Sequence, residues 1–346
     1  MRSKLKYTNI PVVKAMRCDE SDTVFDCDTA DFPYWYKNMP TSHKMFNSLR
    51  FDRKIIGRDT IRGYESVVER TYPRDYMRAD GISNHFTEEA RMKCRFGSQA
   101  SPEEVWCNQR DKVLSKAKKF KNMKPIVAER EALYTLTREC NIFNPAFGLF
   151  VLRKLAQKMS KKYRELRILD PSSGWGDRCI MACVLGAAVY HGYDPNKELQ
   201  KGYSEIINAF QPKHTAPGDY RVLPIPFENV EIEEGSYDIA LTSPPFFDLE
   251  KYNAEGGETA KNLPKYKDWL AVFYKPYIET AWRGLAVGGF LALYVSDIYG
   301  APLGQDAKRI VGEFPDSSEM MKFGFRQRVS KKKPGRIRPM YLWQKI

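Results

Sequence analysis

Short apolar runs alternate with helix-like patterns from about residue 140 to the end of the chain. An apolar run at residues 167–170 leads into Gly174-Trp-Gly176, a helical pattern covers residues 179–188, and residues 188–194 form a second strand pattern that ends in an acid. A strand, a glycine turn, a helix and a further strand in this order are typical of a βαβ unit with parallel strands. The pattern therefore predicts an α/β domain whose ligands bind beyond the carboxyl ends of its strands.

The same alternation surrounds this unit on both sides. Ahead of the first strand, residues 144–158 show an amphipathic pattern with Pro145 near its first turn, where proline fits a helix. A further helix is expected at residues 266–285, followed by a turn at residues 287–289. Further strands are predicted at residues 221–225, 238–242, 290–295, 323–329 and 339–345. These elements suffice for one sheet with helices on its faces.

The strand at residues 238–242 ends in Ser243-Pro-Pro-Phe246. Proline has no backbone N–H, so two successive prolines leave carbonyl acceptors without amide donors at this turn. The Ser243 hydroxyl can accept a further hydrogen bond, and the Phe246 ring offers a face for stacking. This combination favours a site for a flat amino group, although an isolated Pro-Pro pair more often simply ends a strand.

The glycine turn and the acid after it suggest a second ligand contact. Gly174 and Gly176 allow the backbone to approach a ligand closely, and the helix that follows presents amide donors to a carboxylate. Asp194 lies about 20 residues beyond the turn, at the offset of a ribose-binding acid. Because the third glycine of a dinucleotide fingerprint is missing, a small zwitterion suits the turn better than a pyrophosphate.

Taken together, these segments resemble the S-adenosylmethionine-dependent amino-methyltransferases that modify DNA bases. In that family, an Asp-Pro-x-x-Gly-x-Gly turn, a strand-ending acid and a (Ser/Asp/Asn)-Pro-Pro-(Tyr/Phe) motif occur in the order found here. The resemblance implies a catalytic motif of Ser243, Pro244, Pro245 and Phe246. It also implies that S-adenosylmethionine contacts Asp170, Ser172, Gly174, Gly176, Asp194, Phe227, Glu228 and Thr242, with Asp194 on the ribose and Phe227-Glu228 beside the adenine.

The resemblance also implies the architecture. Residues 141–346 are expected to form a Rossmann-like, seven-stranded α/β sheet of the class I methyltransferase type. Residues 1–140 lie outside the resemblance and are expected to form an additional, largely helical domain. Their mixture of aromatic and basic residues, as at positions 31–37 and 85–96, suits target recognition and suits an ordinary supporting core equally well.

The implied reaction is the transfer of a methyl group from S-adenosylmethionine to the exocyclic amine of a nucleic-acid base. Serine at the first motif position resembles the N4-cytosine enzymes, so DNA cytosine is the favoured target. Adenine N6 in DNA or RNA, including an mRNA cap, and protein glutamine remain open as alternatives. A catalytically inactive nucleic-acid-binding subunit is a further alternative, which the intact motifs disfavour.

The charge balance agrees with a polyanionic partner, most simply DNA. Lys and Arg outnumber Asp and Glu by 56 to 43, and the net charge is +13. Five basic residues in the predicted loop at residues 330–338 are the best candidates for phosphate contacts: Lys331, Lys332, Lys333, Arg336 and Arg338. A solvated basic surface is the simpler reading of the charge alone.

Composition limits the other possibilities. No apolar stretch reaches the roughly 18 residues of a membrane span, and the first residues lack the apolar region of a signal peptide, so we expect an intracellular protein without membrane contact. Seven cysteines without a Cys-x-x-Cys pair and four scattered histidines give no reason to expect a metal site.

Overall fold

The computed structural model of this chain describes residues 31–34, 36, 42–50, 57–58, 61, 63–69, 81–252, 263–326 and 335–346. The strands are β1 (Gly57–Arg58), β2 (Ser66–Glu69), β3 (Arg95–Phe96), β4 (Arg167–Asp170), β5 (Val189–Tyr193), β6 (Tyr220–Leu223), β7 (Tyr237–Thr242), β8 (Glu250–Lys251), β9 (Leu285–Tyr294), β10 (Met321–Arg326) and β11 (Ile337–Gln344). The helices are α1 (Ser42–Arg50), α2 (Asn84–Met92), α3 (Pro102–Ala117), α4 (Pro125–Tyr134), α5 (Pro145–Lys158), α6 (Asp177–Leu185), α7 (Gln200–Phe210), α8 (Tyr266–Trp269), α9 (Lys275–Arg283) and α10 (Leu303–Gly312). A π-helical turn, Leu270–Tyr274, joins α8 to α9.

Within these ranges, nine strands form one sheet in the order β1-β2-β10-β11-β9-β7-β4-β5-β6. Strands β4, β5, β6, β7 and β9 are parallel, and β11 pairs antiparallel with both β9 and β10. After β4 the chain adds β5 and β6 on one side, and it then returns to add β7 and β9 on the other side. This reversal beside β4 is a topological switch point, where open α/β sheets bind ligands.

The predicted Rossmann-like, seven-stranded α/β sheet is confirmed for the strands that follow residue 141. Strand β9 differs from the prediction because it begins at Leu285 and runs through the glycine pair that predicted a turn. The pairing of β7 with β9 shifts register there, and Gly288 has a φ of +81°. The turn pattern therefore corresponds to a bulge within a strand, which is a usual place for glycine.

Helices cover both faces of the sheet. Side chains from α5, α6 and α7 pack on one face, and those from α9 and α10 pack on the other. Alternate residues of β9 pack on opposite faces of the sheet. Phe290 and Ala292 belong to the hydrophobic cluster beneath α5, α6 and α7, whereas Leu291 and Leu293 belong to the cluster beneath α9 and α10. Burial on both faces explains why the central strands are continuous apolar runs.

The N-terminal residues pack directly against the sheet. Strand β2 pairs in parallel with β10 and carries β1 on its other side. The Phe46 ring stacks on Phe210 with centroids 4.3 Å apart, and the Thr87 hydroxyl donates to the Trp175 carbonyl at 2.9 Å. The boundary between residues 140 and 141 stays a prediction. Residues of both parts contribute to one hydrophobic cluster, and residues before 141 also form a separate cluster of their own.

Candidate functional site

The glycine turn between β4 and α6 has the backbone conformation that its sequence predicts. Gly174 and Gly176 have φ values of +56° and +89°, which L side chains rarely adopt. A Cβ at position 176 would also lie 2.6 Å from Cδ1 of buried Ile206. The turn is thereby held against α7, while Gly174 stays accessible from the cavity described below.

A buried ionic group supports this turn from beneath. Asp170 accepts hydrogen bonds from Arg178 Nε at 2.9 Å and from the Tyr190 hydroxyl at 2.7 Å. Arg178 also donates to the Ser172 carbonyl. Burial raises the pKa of Asp170, and the neighbouring Arg178 guanidinium opposes that rise. The Asp170 side chain is fully buried among these partners and does not line the cavity described below, so the cofactor contact that the resemblance implies stays a prediction.

Asp194 follows β5 and is 9% exposed. Its Oδ2 accepts from the Gly174 amide at 2.8 Å, and its Oδ1 accepts from the Asn196 amide at 3.0 Å. Burial raises the pKa of Asp194 to about 6, and these two amides lower it in part. A carboxylate has about four lone-pair sites. Asp194 can therefore still accept two hydrogen bonds from vicinal hydroxyls of a ligand.

The Ser-Pro-Pro-Phe motif begins directly after β7, all of whose residues are buried. The Ser243 hydroxyl donates to the Tyr294 carbonyl at 3.1 Å, so its lone pairs remain available as acceptors. Phe247 has a φ of +48°, and its ring packs against Tyr266 and Trp269. A left-handed conformation at a phenylalanine costs about 1–2 kcal/mol, and tertiary packing maintains it here directly after the motif.

One cavity of about 890 Å³ contains both turns. Its lining includes Gly174, Asp194, Ser243 and Phe246, because β4, β5, β7 and β9 all end at this edge of the sheet. The volume lies in the usual range for small-molecule and cofactor sites, about 300–1,000 Å³. The predicted site residues that line it are Ser172, Gly174, Asp194, Ser243, Pro244, Pro245, Phe246, Arg336 and Arg338.

The remaining predicted site residues lie elsewhere. Gly176, Glu228 and Thr242 do not line this cavity, and Phe227 is buried between the rings of Tyr193 and Tyr277. This packing makes Phe227 part of the core, and its position beside the adenine stays a prediction. Lys331, Lys332 and Lys333 lie outside the described residues.

Tyr277 of α9 connects the two turns, and sequence patterns did not reveal it. Its hydroxyl lies 2.9 Å from the Ser172 hydroxyl and 2.7 Å from the Thr242 hydroxyl. Burial raises the pKa of Tyr277 well above its usual range, so its hydroxyl stays protonated and can donate one hydrogen bond, either to Ser172 or to Thr242. A tyrosine in a helix has no motif around it, and its role depends on tertiary packing alone.

We expect Tyr277→Phe to uncouple the two turns. The loss of one buried hydroxyl should lower the free energy of unfolding by about 1 kcal/mol and should weaken ligand binding in the cavity several-fold. The matched control is Tyr274→Phe, which removes a buried hydroxyl that donates to the Leu303 carbonyl at 3.1 Å on the same helical segment. Urea unfolding and ligand titration of both variants test this, and equal binding by the two would contradict a coupling role for Tyr277.

Sequence patterns also did not reveal a set of contacts between residues that precede β4 and the segment that follows the Ser-Pro-Pro-Phe motif. Asn141 donates through its backbone and side-chain nitrogens to Glu250 Oε1 at 3.0 and 2.8 Å. Strand β3 pairs with β8, and the Gly97 amide donates to the Leu249 carbonyl at 2.8 Å. The segment after the Ser-Pro-Pro-Phe motif is thus held by Asn141 and by residues 95–97 of the N-terminal part of the chain.

Two negative findings concern the part of the chain that the structure describes. It contains no cluster of three or more His, Cys, Asp or Glu side chains that could hold a metal ion. None of its helices combines the length and apolar character needed to cross a membrane.

No protein-family model and no curated protein matches this sequence. In fold, the chain is similar to an S-adenosylmethionine-dependent methyltransferase from Agrobacterium tumefaciens, with 18% identity over 61% of this chain and 64% of that one and a TM-score of 0.41. It is also similar to an S-adenosylmethionine-dependent O-methyltransferase from Thermotoga maritima, with 15% identity, 60% and 67% coverage and a TM-score of 0.39. A tRNA (m1A58) methyltransferase from Aquifex aeolicus gives 14% identity, 60% and 72% coverage and a TM-score of 0.38. At these scores the functional argument depends on the site alone.

Proposed function

We propose that this protein transfers a methyl group from S-adenosylmethionine to the exocyclic amine of a nucleic-acid base, with cytosine N4 in DNA as the favoured target. The observation that carries the proposal is the single cavity into which the glycine turn and the Ser-Pro-Pro-Phe turn both open. A methyl transfer between two bound molecules requires both in one space, with the nucleophile in line with the methyl carbon. Sites on separate surfaces could not perform it.

The cofactor end of the cavity suits S-adenosylmethionine. The Gly174 backbone is open to the cavity, and α6 begins nearby with amide donors and a positive dipole end for a carboxylate. Asp194 offers acceptors for the two ribose hydroxyls. The bound cofactor would supply an electrophilic methyl group on a sulfonium sulfur.

The other turn suits a weakly nucleophilic amine. The amine of cytosine or adenine conjugates with its ring, so its lone pair must be localised before it can attack. Ser243 Oγ and the Pro244 carbonyl can accept its two N–H groups, because the Ser243 proton is already donated to Tyr294. Phe246 offers a stacking face to a base that has left the duplex.

We expect the purified protein, incubated with methyl-labelled S-adenosylmethionine and DNA, to produce N4-methylcytosine. Ser243→Ala should lower the rate by roughly 10- to 100-fold, since it removes an acceptor from the reacting amine. The control is Ser296→Ala, which changes another serine that lines the cavity. Mass spectrometry of digested nucleosides, with RNA and protein fractions run in parallel, gives the readout.

The products distinguish the alternatives. N6-methyladenine in DNA or RNA would keep the mechanism but replace the favoured base, and label in protein would favour a glutamine side chain. S-adenosylmethionine binding without any methylated product would favour a nucleic-acid-binding subunit. The absence of S-adenosylmethionine binding would reject the proposal as a whole.

A further inference from the structure

Five arginines line the cavity, and two of them, Arg91 and Arg178, are buried and paired with Glu139 and Asp170. The other three are Arg138, Arg336 and Arg338. Arg138 and Arg336 are exposed, and no acidic side chain among the described residues forms an ion pair with any of the three. We call them the rim arginines. Arg336 and Arg338 come from the β11 end of the chain, whereas Arg138 comes from the loop between α4 and α5.

Three acids of the same cavity are engaged with protein donors other than the rim arginines. Glu139 pairs with Arg91 at 3.0 Å and with Arg130 at 2.8 Å. Asp248 lies 3.6 Å from Lys251 Nζ, and Glu250 accepts from Asn141. The rim arginines therefore present guanidinium N–H groups for which the described part of the protein provides no acid. A ligand with anionic oxygens would accept hydrogen bonds from these guanidinium groups.

Arg138 is also held in one orientation. Its guanidinium lies over the Phe96 ring, with Cζ 4.0 Å from the ring centroid. Its backbone amide donates to Gln99 Oε1 at 3.1 Å. Because Phe96 covers one face of the guanidinium, its N–H edges remain free to donate to two oxygens of an anionic group such as a phosphate.

The stacked residues Phe96 and Arg138 are linked to the Ser-Pro-Pro-Phe motif through the pairing of β3 with β8. Phe96 belongs to β3, whose partner β8 begins only four residues after Phe246. We propose, on the basis of the proposed function, that Arg138 stacked on Phe96 contacts the phosphodiester backbone of the target strand. The N-terminal part of the chain then contributes directly to nucleic-acid binding, together with Arg336 and Arg338.

The experiment measures binding of a fluorescein-labelled single-stranded oligodeoxynucleotide by anisotropy over a range of KCl concentrations. Loss of one phosphate contact should reduce the slope of log K against log[KCl] by about 0.7 in Arg138→Gln. Arg138→Lys keeps the charge and should retain the slope with lower affinity, because it loses the planar stack. The matched control is Arg164→Gln, an exposed arginine just before the amino end of β4, at the opposite edge of the sheet.

The outcomes separate this contact from the proposed function. An unchanged slope in Arg138→Gln, with binding by the wild-type protein intact, would overturn the Arg138 contact and leave the methyltransferase proposal standing. Equal slope losses in Arg138→Gln and Arg164→Gln would also overturn it, because the effect would then be one of net charge. Failure of the wild-type protein to bind the oligonucleotide at low salt would overturn the nucleic-acid substrate itself.

Discussion

Replacing Phe246 by alanine is expected to lower the rate of methyl transfer by roughly 10- to 100-fold while the affinity for S-adenosylmethionine stays nearly unchanged. Base stacking on an aromatic side chain contributes about 1–3 kcal/mol, and each 1.4 kcal/mol corresponds to about a factor of ten. Phe246 is half-buried and lines the cavity, and no ring of another described residue pairs with it. One face therefore remains for the substrate. Single-turnover rates at saturating cofactor and calorimetric titration of the cofactor measure the two effects separately.

Phe246→Tyr is the control for this prediction. It keeps the ring and its stacking face, so its rate should stay within a few-fold of the wild-type rate. An equal loss of turnover and cofactor affinity in Phe246→Ala would show that the ring supports the cavity as a whole. In that case the stacking role would be wrong even if the protein remains an active methyltransferase.

The fold of the C-terminal part was predictable because its signals are local. Apolar strands buried on both faces leave continuous runs, and a glycine turn between a strand and a helix has few alternatives. The meeting of Gly174, Asp194 and Ser243 in one cavity also follows, since parallel strands place their carboxyl ends at one edge of a sheet. The bulge at Gly288 escaped the prediction because a glycine pair predicts a turn equally well.

The remaining parts of the site could not be predicted because they depend on contacts between distant segments. Tyr277 acts through two hydroxyls that are 105 and 35 residues away in sequence. Glu250 and Asn141 are separated by 109 residues. The left-handed conformation of Phe247 is rare for its residue type, so no sequence pattern indicates it. The resemblance implies a cofactor contact for Asp170, but it could not indicate that this carboxylate is fully buried and accepts a hydrogen bond from Arg178.

Asp194→Asn is expected to raise the dissociation constant of S-adenosylmethionine by roughly 10- to 100-fold, corresponding to about 1.5–3 kcal/mol for hydrogen bonds to a charged group. The wild-type affinity should also depend on pH. Burial raises the pKa of Asp194 to about 6 in the protein without ligand, and ribose hydroxyls donate to its ionised form. The carboxylate is protonated below that pH and loses acceptor capacity. The dissociation constant should therefore be lowest above about pH 7 and should rise as the pH falls through 6.

A second acid of the cavity has a pKa in the same range as Asp194. The pH profiles of the wild-type protein and of Asp194→Asn must therefore be compared to assign the effect to one residue. Burial also raises the pKa of Asp177 to about 6, whereas Asp170 is paired with Arg178 beneath the turn. If Asp194 holds the ribose, isothermal titration across this range should give Asp194→Asn a markedly flatter profile than the wild-type protein. A variant that binds weakly but keeps the full pH dependence would assign the titration to Asp177. A variant with wild-type affinity would remove Asp194 from the cofactor site, since neither its charge nor its acceptors would then contribute to binding.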